Sequence, residues 1–180
     1  CNITFINGAS YYANNEDTDY WYYKYLFEKK EANGLEGLEP GNLFYKNWSV
    51  SIEPHATLGY SRKKNVVADC HETTNLGTRG IRNYSLSGKK ILFYGNSFVD
   101  SNACSNNTLP QKIENRLGVD TLNFGVGGYG LDQIFLLFKE TFDDFDSSEN
   151  IYLIGLIHED IDRMMLKART TNKPYFTVED

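Results

Sequence analysis

The sequence predicts an α/β fold: a parallel sheet with crossover helices over residues 86–180, preceded by an irregular N-terminal extension over residues 1–85. Three observations predict it. Short apolar runs at 89–95, 120–125 and 150–157 read as strands of a parallel sheet. Two stretches of helical periodicity separate them, at 108–118 and 131–142. The order strand-helix-strand-helix-strand then requires right-handed crossovers, which make the strands parallel.

The extension comes first in the chain and has little periodicity. Residues 7–15 are polar, and 19–30 form an aromatic stretch compatible with a short helix. Three glycines and Pro40 make 33–41 a loop. Residues 43–45 and 48–52 suggest short strands, and Glu53-Pro54-His55 suggests the start of a turn. From Leu58 to Arg82 the glycines are scattered and few apolar positions recur. There are no internal repeats.

The α/β region is more regular. A charged start and an apolar run ending at Gly95 predict the first buried strand. Thr108 is a candidate N-cap, Pro110 follows early, and apolar residues fall at 109, 113 and 117 before Gly118. That pattern predicts an amphipathic helix. Residues 120–125 predict the second strand. Apolar positions 131, 134, 135, 137, 138 and 142 predict the second helix, and 150–157 a third buried strand.

Composition excludes some functions. The chain has 180 residues, 41% hydrophobic and 23% charged, as in ordinary globular proteins. A net charge of −6 and no basic cluster argue against a nucleic-acid partner. No run approaches the ~20 apolar residues of a membrane-spanning helix. Cys1, Cys70 and Cys104 show no metal-binding spacing, and no metal or cofactor is expected. A first residue of Cys rather than Met suggests upstream removal; an acylated lipoprotein terminus and a fragment end both fit.

Ligands of parallel sheets bind at the carboxyl ends of the strands. The three predicted strands end in Gly95-Asn96-Ser97-Phe98, Gly125-Val126-Gly127-Gly128-Tyr129-Gly130 and His158-Glu159-Asp160. Ser97, behind a glycine that permits a tight turn, is either a nucleophile or a turn serine. The glycine loop either offers N–H groups to an oxyanion or is a plain strand-to-helix turn; its spacing departs from the dinucleotide fingerprint. His158-Glu159-Asp160 is either a polar site edge or an acidic helix start.

On these residues the chain resembles the SGNH (GDSL-type) hydrolases. Gly95-Asn96-Ser97-Phe98 is similar to their first block, usually Gly-Asp-Ser. The stretch from Leu122 through Gly128 to Gln133 is similar to the second, and Glu159-Asp160 lies where the third, Gly-x-Asn-Asp, is expected. Pro54 to Tyr60 and Asn75 to Gly80 resemble the lead-in of larger bacterial members. The resemblance implies a three-layer, flavodoxin-like parallel sheet, incomplete at its C-terminus. It implies Ser97 as nucleophile, with the N–H groups of Ser97 and Gly128 forming the oxyanion hole. Glu159 takes the place of the family's asparagine, a side-chain donor that an ionised carboxylate cannot replace. Asn96 and Asp160 are implied as structural residues beside the site. The family's general base belongs to a late Asp-x-x-His block, and none follows residue 165. The chain therefore reads as a fragment of a longer hydrolase, with an unpaired sheet edge and little activity by itself. His158 is a weaker substitute base.

Three functions follow as alternatives. The first is an esterase or deacetylase acting on acyl or acetyl esters of a small molecule or carbohydrate. The second is an inactive module of the same fold that binds glycan or a partner, with Trp21, Tyr22, Tyr23 and Tyr25 either stacking on sugar or forming ordinary core. The third is a phosphate or nucleotide binder using residues 125–130.

Overall fold

A three-stranded parallel sheet flanked by helices forms the centre of the computed structural model, which describes residues 2–5, 51–145, 148–166, 168–169, 171–172 and 174–177. Strands β1 (Asn2–Phe5), β2 (Ile52–His55) and β3 (Gly59–Arg62) precede it. The α/β part then runs β4 (Lys90–Gly95), α1 (Ser97–Asp100), α2 (Leu109–Leu117), β5 (Asp120–Gly125), α3 (Leu131–Thr141), β6 (Ile151–Gly155) and α4 (His158–Met165). Short strands β7 (Ala168–Arg169), β8 (Thr171–Asn172) and β9 (Pro174–Thr177) follow. The aromatic segment with Trp21, Tyr22, Tyr23 and Tyr25, and Cys1, lie outside the described residues.

The sheet order is β5-β4-β6, all parallel and compatible with a flavodoxin-like fold. Every residue of β4 is buried, as expected for a central strand covered on both faces. The core gathers Leu92, Tyr94, Leu122, Phe124, Ile134 and Leu136. Tyr94 and Phe124 stack at 4.9 Å, and Phe145 meets Phe124 edge-on at 5.9 Å. Such aromatic pairs add about 0.5–1.5 kcal/mol each beyond their buried area.

Three sequence expectations are corrected. The third strand, expected to be buried, is an edge strand with Ile151, Leu153 and Ile154 at 41–51% exposure. The apolar run is real, but β6 pairs only with β4, so its outer edge has no neighbour among the described residues. In α2 the apolar positions Leu109 and Leu117 are exposed, while Gln111 and Glu114 are buried. The reason is polar: Glu114 accepts from Arg82 Nε, Tyr84 Oη and the Thr121 N–H, each at 2.8 Å. The helix docks by this carboxylate rather than by its leucines. Its ends are as expected, with Thr108 accepting from the Gln111 N–H and Gly118 in the left-handed region at φ 66°. Finally, Glu53-Pro54-His55 lies within β2, which pairs antiparallel with β3, and the turn comes after it.

Residues 58–84, aperiodic in sequence, pack onto the α/β part. Leu58, Tyr60 and Tyr84 belong to its core, and Cys70 is disulfide-bonded to Cys104 across 34 residues. This segment covers the region of the candidate site.

Candidate functional site

The site begins with a row of glycines. Gly125, Gly95 and Gly155 stand in register at the carboxyl ends of β5, β4 and β6. Helix α1 turns back across this row. A Cβ on Gly125 would lie 2.3 Å from the Asp100 nitrogen, and one on Gly95 would lie 2.4 Å from Val99 Cγ2. One on Gly155 would lie 2.6 Å from the same methyl. The three glycines thus let the turn that begins at Ser97 lie flat on the strand ends. Gly125→Ala pushes its methyl into backbone, and we expect a loss of about 3 kcal/mol, read as a lower denaturation midpoint in urea. An unchanged midpoint would refute the close approach.

Ser97 is the first residue of α1 and is half-buried. Its carbonyl accepts the Ser101 N–H at 2.8 Å. Asn96, fully buried, precedes it as N-cap, its Oδ1 accepting the Phe98 N–H at 2.8 Å. The Asn96 amide donates to both Asp160 oxygens, at 2.6 and 2.7 Å. Asp160, also fully buried, accepts the Ile157 N–H at 2.9 Å and Arg163 Nη1 at 2.8 Å. The ends of β4 and β6 are therefore tied by one buried carboxylate.

Gly128 lies in the loop after β5, at φ 84°, where a side chain would be strained. A Cβ there would also stand 2.9 Å from Tyr60 Oη. The loop is strapped from above. Tyr60 donates to the Gly127 carbonyl at 3.0 Å and Arg62 Nε to that of Gly125 at 3.1 Å. Tyr129 donates to the Tyr60 carbonyl at 2.5 Å, and burial raises its phenol pKa well above the ordinary value.

Glu159 is exposed, its carboxylate 3.2 Å from His158 Nδ1, and His158 is 82% exposed. His55 Nδ1 accepts the Thr57 and Leu58 N–H groups. His71 is partly buried; burial first, and then Arg79, hold its pKa below the ordinary range. None of these histidines hydrogen-bonds Ser97 among the described residues. The structure brings Ser97, Asn96 and Asp160 together and sets the glycine loop beside them, but leaves His158 and Glu159 facing solvent.

A buried ionic cluster behind α1 escaped the sequence reading. Asp100, 5% exposed, is paired with Arg62 and Arg79. Arg79, 2% exposed, donates to the carbonyls of Cys70 and Asp100 at 2.9 Å each, and also to those of Ser101 and Ala103. These partners lie 9 to 38 residues apart in the sequence, and no local pattern marks them. The Arg79 within the Asn75 to Gly80 motif was the available signal.

Among the described residues, no group of three or more His, Cys, Asp or Glu side chains is placed to hold a metal ion, and no helix is long and apolar enough to cross a membrane. No protein-family model matches the chain, and no curated protein matches it in sequence.

Proposed function

We propose that this chain carries the nucleophile half of an SGNH-type serine ester hydrolase. The observation that supports it best is the convergence of three separate strand-end motifs on one sheet edge. Ser97 heads a turn at the end of the central strand, Gly128 lies in the loop after β5, and Asp160 reaches across from the start of α4, just past β6, to lock Asn96.

In the proposed reaction, Ser97 Oγ attacks the carbonyl carbon of an acyl or acetyl ester of a small molecule or carbohydrate. Its proton passes to a general base. The N–H groups of Ser97 and Gly128 stabilise the oxyanion of the tetrahedral intermediate. The alcohol leaves, and water then releases the acyl group from Ser97. Serine at its free pKa is a weak nucleophile, so the base is essential. On this reading a histidine must reach Ser97 as the base, and none of His55, His71 and His158 hydrogen-bonds it among the described residues. Glu159, paired with His158, adds no third donor to the oxyanion.

The second reading is an inactive binding module of the same fold. The exposed Glu159, and the lack of a histidine hydrogen-bonded to Ser97 among the described residues, favour it. Fluorophosphonate labelling with mass spectrometry separates the two. On the full-length translation product the ester-hydrolase reading expects labelling at Ser97, abolished in Ser97→Ala, and weak labelling of residues 1–180 alone. A folded full-length protein that stays unlabelled leaves the binding module.

A further inference from the structure

We propose that Arg79 is a positioning residue for the Ser97 site, fixing the distance between the nucleophile turn and the glycine loop; this rests on the ester-hydrolase reading. Helix α1 has four residues, too few to hold its shape unaided. Its start is secured by Asn96 and Asp160. Its end is secured by Arg79, whose guanidinium takes the carbonyls of Asp100 and Ser101 and the Asp100 carboxylate.

The same residue reaches the neighbouring strand. The Arg79 N–H donates to the Asn123 carbonyl at 2.9 Å. Asn123 in turn donates from Nδ2 to the Val99 carbonyl at 3.1 Å and accepts the Gly125 N–H at 2.9 Å. Arg62 completes the circuit, bridging Asp100 and the Gly125 carbonyl. Of the two proposed oxyanion donors, Ser97 heads α1 and Gly128 follows β5, and this circuit joins α1 to the end of β5. An arginine suits the task because its planar fork serves several acceptors at once, whereas a lysine ammonium is a point charge with three donors.

The test uses the full-length protein with Arg79→Lys, and Asp100→Asn as a second variant should the first not fold. Arg82→Ala serves as a destabilised control, since its partners Glu114 and Asp120 lie away from α1. The fluorophosphonate labelling rate at Ser97 is measured on folded protein, together with hydrogen exchange at 97–101 and 125–128. The expected result is a fall of at least about tenfold in labelling rate for Arg79→Lys, with faster exchange in both segments. Arg82→Ala keeps the wild-type rate. A wild-type rate in folded Arg79→Lys and Asp100→Asn, or a matching fall in the control, overturns the proposal. If wild-type protein does not label at all, the ester-hydrolase reading fails. Exchange then decides the coupling: faster exchange in both segments supports it, and unchanged exchange refutes it.

Discussion

Asp160→Ala is expected to cost about 3–5 kcal/mol of stability, because it breaks a buried ion pair from one side. The carboxylate accepts four hydrogen bonds from three residues: both of its oxygens hold Asn96, and it also holds the Ile157 N–H and Arg163. Without it, the buried Asn96 amide loses its acceptors and the Arg163 guanidinium, 11% exposed, loses its counter-charge. Neither group recovers full hydration where it sits. Asp160→Asn keeps the shape but not the charge, and is expected to lose less. The effect reaches the site, because Asn96 also caps the turn that begins with Ser97. Urea denaturation of the two variants checks the order. Equal stability for Asp160→Ala and wild type would show that the carboxylate does not bind the strand ends together.

Removing the Cys70–Cys104 disulfide is expected to cost about 3–4 kcal/mol, the loop-closure entropy of a bridge spanning 34 residues. The bridge closes the segment that carries Arg79 and α1. Hydrogen bonds already hold its two ends together. The Ser105 N–H donates to the Cys70 carbonyl at 3.0 Å, and Arg79 gathers the carbonyls of Cys70 and Ala103. The native geometry is therefore expected to survive reduction, with the loss falling on the unfolded side. A Cys70→Ser/Cys104→Ser variant should show native circular dichroism and a lower denaturation midpoint. An unchanged midpoint would mean that the unfolded chain gains no freedom when the bridge is cut.

The structure also shows where local pattern is informative. Helix α2 was legible at both ends, because Thr108 and Gly118 act on backbone groups within three or four residues. Its buried face was not legible, because Glu114 is held by Arg82 and Tyr84, 32 and 30 residues away. The apolar run of β6 was legible as a strand, but its exposure depended on which strands lie beside it.

The sequence by itself determined the α/β class, the strand-helix-strand-helix-strand succession from 90 to 155, and the residues that end each strand. Those features follow from hydrogen bonds and side-chain periodicities within a few residues. Tertiary structure alone decided that β4 is central, that three glycines align under α1, and that Asp100, Arg62 and Arg79 form a buried cluster behind Ser97. It also decided the Cys70–Cys104 pairing. These are contacts between residues far apart in the chain, and a buried charge reveals its partner only when folding removes the water that would otherwise solvate it.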